Sequence, residues 1–132
     1  MDRVVFACVH NAGRSQMAAA WFNRLADLQK ARAVSAGTAP ADHVHPVVIE
    51  AMKEKGIDLS TSEPRKLTHE LATGAAFLVT MGCGENCPYV PGVPILDWPL
   101  PDPKGQGIDS VRAIRDDVES RVRAFVEQNG WT

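Results

Sequence analysis

The sequence is short of most features that would announce a specialised class. No apolar run approaches the ~20 residues that a membrane-spanning helix needs. Met1-Asp2-Arg3 leads straight into a strand-like segment rather than an apolar leader, so a cytoplasmic protein without membrane association is expected. Charge of one sign is missing too. Lys and Arg number 14 against 16 Asp and Glu, and a net charge of −2 argues against a nucleic-acid partner. Tyrosine is nearly absent, Tyr89 being the one copy, which leaves little material for an aromatic-walled pocket. Three cysteines, Cys8, Cys83 and Cys87, are odd in number and argue against a structural disulfide framework. Internal repeats and low-complexity tracts are absent as well. Residues 1–132 are therefore read as a single domain, expected to be monomeric, and a chain of this length buries roughly two-thirds of its unfolded surface.

What is present is a series of short apolar segments. Arg3–Cys8 (RVVFAC) reads as a buried strand. From Ser15 onward Met17, Ala18, Trp21, Leu25 and Leu28 recur at helical spacing. Ala33–Gly37 is a second strand. Pro46 suits the start of a helix and Gly56 its end, with Val48, Ala51 and Met52 as the apolar face. Thr68 caps a short helix reaching Thr73. Ala75–Met81 is a third strand, and Val93–Trp98 holds a fourth. Ile108, Val111, Ile114, Val118, Val122 and Phe125 mark a long final helix. Buried strands alternating with helices predict an α/β three-layer sandwich around a four-stranded parallel sheet. Ligands of such sheets gather at the carboxyl ends of the strands. The loops at 8–15, 82–92 and 99–107 follow strands and carry all three cysteines, Arg14 and Asp102.

The first of these loops, CVHNAGRS, joins a strand to a helix start, which is anion-binding architecture. The expected cradle is made by Val9, His10, Asn11, Ala12, Gly13, Arg14 and Ser15. Arg14 adds a planar fork of donors suited to a tetrahedral oxyanion. Gly13 is expected to let the backbone curl around the anion. The same field favours the thiolate of Cys8, Ser15 is placed to donate to it, and Cys8 becomes a candidate nucleophile. In PLPDPKG, Pro103 keeps Asp102 extended. An Asp-Pro pair by itself reads as a turn. At the end of the fourth strand, opposite Cys8, Asp102 is the candidate general acid, with Asp97 a competitor inside the strand segment. Arg65 and Lys104 are candidate basic neighbours that otherwise read as surface charge.

CVHNAGRS, with its C-x5-R-S spacing, resembles the phosphate-binding loop shared by low-molecular-weight protein tyrosine phosphatases and the arsenate reductases built on their fold. VHNAGRSQMA over Val9–Ala18 is similar to the arsenate reductase version in particular. The resemblance covers nearly the whole chain. It implies that Asp102 is the acid and that Asn11 braces the loop. A phosphatase has no use for the two cysteines of GCGENCP. In an arsenate reductase, a second thiol attacks the Cys8 sulfur and expels arsenite by thiol–disulfide exchange. The resemblance implies that Cys83 makes that attack, that Cys87 then takes over the disulfide, and that thioredoxin, fed by thioredoxin reductase and NADPH, reduces it. Gly82 and Gly84 are expected to permit the rearrangement. The spacing Cys83-x-x-x-Cys87 is shorter than in the best-known three-cysteine members. No bound cofactor is implied. Arsenic detoxification is the expected role, with a weak phosphatase side activity. A low-molecular-weight thiol is the alternative reductant, and a phosphotyrosine phosphatase the alternative enzyme.

No metal is expected. C-x-x-x-C near a histidine falls within zinc-ligand habit, but His10, His43, His45 and His69 supply no second clean pair. Some relatives bind potassium near Asn11, and one acidic ligand of that site is Ala19 here. His10 reads as a packed or solvent-facing loop residue. Trp21 and Trp98 read as core, and Trp131 as a packed tail.

Overall fold

A computed structural model describes residues 1–82 and 90–132. Among them are four strands: β1 (Asp2–Cys8), β2 (Ala31–Gly37), β3 (Phe77–Thr80) and β4 (Ile95–Asp97). Four helices accompany them: α1 (Arg14–Leu25), α2 (Pro46–Lys53), α3 (His69–Ala72) and α4 (Ile108–Gln128). The strands pair in the order β2-β1-β3-β4, all parallel, as the alternation of buried strands and helices requires. β1 is central, with Val5 opposite both Val34 and Leu78.

Successive side chains of β1 enter two different cores. Val4, Phe6 and Cys8 join Met17, Phe22, Met52 and Val111 on the face covered by α1, α2 and α4. Val5 and Ala7 join Ala36, Ala72 and Leu78 on the face covered by α3. This alternation aims the last side chain of the strand, Cys8, toward α1. Phe22, Phe77, Phe125 and Trp131 form an edge-to-face cluster on the first face, with Phe125 and Trp131 ring centres 5.3 Å apart. Trp131 is buried there, as a packed tail should be, and Trp98 lies 5.7 Å from Phe6.

β3 and β4 are shorter than the expected Ala75–Met81 and Val93–Trp98, and hydrogen bonding accounts for two other ends that differ from the sequence expectation. α1 stops at Leu25 and leaves Leu28 outside. The Asp27 carboxylate accepts from the Gln29 amide at 2.9 Å, and the Asp27 amide donates to the Trp131 carbonyl at 2.6 Å. A side chain that hydrogen-bonds its own backbone competes with the helix. β2 begins two residues earlier than its apolar stretch because Ala31 and Arg32 pair with Asp2 and Arg3. Thr68 caps α3 as expected, its Oγ1 accepting from the Leu71 amide at 3.1 Å. Among the described residues no helix is long and apolar enough to cross a membrane.

Glu54, just past α2, ties that helix to α4. Its carboxylate accepts from Arg112 Nη2 at 2.6 Å and from the buried Arg115 at 2.7 Å. The two guanidinium groups hold Glu54 down to about 2 from an ordinary value near 4.5. A depressed carboxylate stabilises the fold above its unfolded value, and that stabilisation is lost as pH falls through the folded one. Glu54→Gln should therefore flatten the fall of Tm on acidification between about 4.5 and about 2, as thermal melts across that window will read.

Candidate active site

Cys8 ends β1 and is buried, 2% exposed. Beyond it the chain turns through residues 9–13 into α1. Almost every carbonyl of this turn has a partner. Those of Cys8, Val9, His10 and Ala12 accept from the amides of Thr38, Ala39, Ala41 and His45 at 2.8–3.1 Å. The carbonyl of Gly13 accepts from Met17 N at 3.0 Å, and that of Asn11 from the Gln16 side chain at 3.1 Å. In a trans peptide the following N–H points away from the carbonyl. Committing the carbonyls of Cys8, Val9, His10 and Ala12 to the segment 38–45 therefore turns the amides of residues 9, 10, 11 and 13 away from it. One of these donors is seen in use: Asn11 N–H reaches Cys8 Sγ at 3.3 Å. Ser15 Oγ lies 2.9 Å from the same sulfur. The expected cradle of Val9, His10, Asn11, Ala12, Gly13, Arg14 and Ser15 thus forms one continuous turn around Cys8, and α1 begins at Arg14, one residue earlier than its apolar pattern suggested.

Three glycines of the site carry steric duties that the sequence did not signal. The left-handed residue of the turn is Asn11, at φ +51°, a region Asn tolerates better than most. Gly13 sits at φ −145°. Its necessity is steric: a Cβ there would lie 2.5 Å from Pro103 Cγ, so glycine lets the 99–107 loop close onto the turn. Gly37, at the end of β2, meets the turn equally tightly. A Cβ there would be 2.5 Å from the Val9 carbonyl oxygen and 2.9 Å from Asn11 N. Gly82 has φ +101° and lies directly against the Arg14 guanidinium, which occupies the space of a Cβ.

Arg14 is buried. Its Nη1 donates to the Leu100 carbonyl at 3.1 Å, and its Nη2 is 3.7 Å from Asp102 Oδ2. Asp102 is anchored at its other oxygen, Oδ1 accepting from Lys104 N at 3.0 Å, while its side chain remains 43% exposed. Asp97 stands apart, accepting from Thr80 Oγ1 at 2.9 Å. Arg65 reaches the site through its backbone: its N–H donates to Asn11 Oδ1 at 2.9 Å. His10 Nδ1 lies 3.2 Å from the Ala39 carbonyl oxygen. His45 gave no signal in the sequence beyond preceding a helix, yet its ring is beside Gly13. Burial pushes the His45 imidazole below its ordinary value, with His10, Lys104 and His43 adding to the shift and the Asp102 carboxylate opposing it. Cys83 and Cys87, with Gly84 and Tyr89, lie outside the described residues.

The arrangement joins a buried thiol with two hydrogen-bond partners, a turn of backbone amides, a buried guanidinium and a half-exposed carboxyl. Chemically this can hold a tetrahedral oxyanion, attack its centre and protonate an oxygen that departs. The sequence did not signal the parts played by Gly37, Gly82 and the Leu100 carbonyl, because they are backbone approaches between segments far apart in the chain.

Comparison with known proteins gives a consistent picture. A family model described as low molecular weight phosphotyrosine protein phosphatase matches residues 3–129. A Halobacterium salinarum protein provisionally named an arsenate reductase is 44% identical over 121 residues, which are 89% of this chain and 85% of that protein. The glutaredoxin arsenate reductase of Synechocystis sp. is 33% identical over 129 residues, 96% of this chain and 97% of that one. Among solved structures, the thioredoxin-dependent arsenate reductase of Corynebacterium glutamicum superposes with a TM-score of 0.82 at 36% identity. The match covers 97% of this chain but only 61% of that longer one.

Proposed function

The chain belongs to the low molecular weight phosphotyrosine protein phosphatase family, and we propose that within it this protein reduces arsenate to arsenite and so serves arsenic detoxification. The observation that carries the reading is the Cys8 sulfur lying between Ser15 Oγ and Asn11 N–H within the turn of residues 9–13, with Arg14 buried beside Asp102. The choice of arsenate over a phosphate ester draws on the two further cysteines and on the names of the relatives.

In this mechanism the loop amides and Arg14 bind arsenate, and the Cys8 thiolate attacks arsenic(V). Asp102 protonates the oxygen that leaves as water. The Cys83 thiolate then attacks Cys8 Sγ. The S–As bond breaks, its electron pair stays on arsenic, and arsenite departs as a Cys8–Cys83 disulfide forms. Cys87 attacks Cys83 and frees Cys8. The Cys83–Cys87 disulfide is reduced by two electrons from thioredoxin, itself recharged by thioredoxin reductase and NADPH. The protein works as a soluble monomer in the cytoplasm and binds no metal or cofactor of its own.

The test is arsenate-dependent NADPH oxidation with thioredoxin and its reductase, run beside glutathione with glutaredoxin. Thioredoxin should support steady turnover. Cys83→Ser and Cys87→Ser should each slow it by about tenfold or more, because an external thiol lacks the proximity of an internal one, while arsenate binding is retained. Turnover by glutathione with glutaredoxin that survives both substitutions would refute the relay. Rapid aryl phosphate hydrolysis with no arsenate turnover would identify a phosphatase instead.

A further inference from the structure

Gln16 lies in the first turn of α1 and is 6% exposed. Its Nε2 faces three oxygens: the Asn11 carbonyl at 3.1 Å, Asn11 Oδ1 at 3.2 Å and the Glu63 carbonyl at 3.5 Å. Two of these are backbone carbonyls, which only accept, so the atom facing them is the amide nitrogen. The Asn11 amide is oriented by similar logic. The Arg65 backbone N–H only donates, and it points at Asn11 Oδ1 from 2.9 Å. Asn11 Nδ2 therefore faces Ser15 Oγ, at 2.7 Å, and donates to it. Ser15 Oγ has a single proton, and when Cys8 is the attacking thiolate its sulfur, 2.9 Å away, has only lone pairs to receive it. In that state the hydrogen bonds run one way, from Gln16 to Asn11 to Ser15 to Cys8, and end on sulfur as an acceptor.

Gln16 also completes the turn. The segment 38–45 takes the carbonyls of Cys8, Val9, His10 and Ala12 but not that of Asn11. Gln16 takes that one, at the residue with the left-handed backbone. One amide group thus holds both the backbone and the side chain of Asn11.

We propose that Gln16 is a positioning residue that fixes Asn11 in the orientation from which Ser15 donates to the Cys8 sulfur, keeping Cys8 a ready nucleophile. The inference rests on the reading of Cys8 as the attacking group. It does not depend on which oxyanion is attacked.

The experiment is alkylation of the intact protein by iodoacetamide, with the Cys8 peptide quantified by mass spectrometry across neutral pH and thermal melts recorded in parallel. Gln16→Met removes the donor at similar length. Its Cys8 alkylation should fall about three- to tenfold at neutral pH, the range a lost neutral hydrogen bond carries, with the profile displaced toward alkaline pH. Gln16→Lys supplies only donors and should restore a rate close to that of the unaltered protein. A Met variant that reacts at the unaltered rate would overturn the role. So would a Lys variant as slow as Met while melting normally. If the Met variant does not fold, the Lys variant decides alone: a near-unaltered rate supports the role and a slow one overturns it. Cys8 reacting in the unaltered protein no faster than a free cysteine would bring down the nucleophile reading and this inference together.

Discussion

Cys8→Ser should abolish arsenate turnover, with kcat down by at least about 10⁴-fold, as when an attacking residue is removed from other covalent enzymes. The same variant should bind arsenate with little change and melt close to the unaltered protein. Each part of that expectation has its own cause. A serine hydroxyl at the end of β1 still meets Ser15 Oγ and Asn11 N–H, which now lie 2.9 and 3.3 Å from sulfur. The turn keeps its carbonyls on the amides of residues 38–45. Oxyanion binding depends on the amides of the turn and Arg14, which the substitution leaves in place. What is lost is the nucleophile, because a serine hydroxyl is a far weaker nucleophile toward arsenic than a cysteine sulfur. Titration calorimetry with arsenate beside steady-state assays separates the two effects. Retained turnover would exclude Cys8 as the attacking group.

Arg14→Lys should lower kcat/KM for arsenate by about 10²–10³-fold, the cost of removing a preorganised donor from an oxyanion site. A lysine keeps the charge but not the fork. Arg14 uses Nη1 on the Leu100 carbonyl and directs Nη2 to the Asp102 side, and a single ammonium cannot hold the 99–107 loop and clamp an anion in the same geometry. The effect should be reproducible without touching Arg14. Gly82→Ala places a methyl where the guanidinium lies and strains a backbone at φ +101°. It should therefore lower kcat/KM by about 10-fold or more through displacement of a donor. If it acts through Arg14, the double variant should be no worse than Arg14→Lys alone, a non-additivity that residues in contact display. Additive losses would show that Gly82 acts elsewhere.

Much of the fold was legible because its signals are local. Val4 to Cys8 had to be a doubly buried strand, Pro46 and Gly56 bracketed α2, and the spacing from Ile108 to Phe125 defined α4. The turn from Cys8 to Ser15 was legible for the same reason: its donors, its thiol and its helix start are contiguous. What escaped was set by distant segments. Gly13 is needed because Pro103 packs on it, 90 residues later in the chain, and Gly82 because Arg14 lies across it. Gln16 fell inside the helix expected from Ser15 and carried no sign that its amide would find Asn11 and Glu63. Leu28 misled because the apolar period continued past the point where Asp27 began to bond its own backbone.

The position of β1 at the centre of a parallel sheet also sets a timetable. β1 and the anion turn are made well before β3, which closes the other side of β1 and comes only with residues 77–80. The groups that hold Arg14 follow later still: Gly82, then Leu100 and Asp102. At a synthesis rate of about 5–20 residues per second, Cys8 and Arg14 wait for several seconds as neighbours in an unfinished chain. The half-made protein therefore carries its thiol and its guanidinium before the groups that hold the guanidinium in place exist, and the site is completed only when the 99–107 loop settles onto the turn.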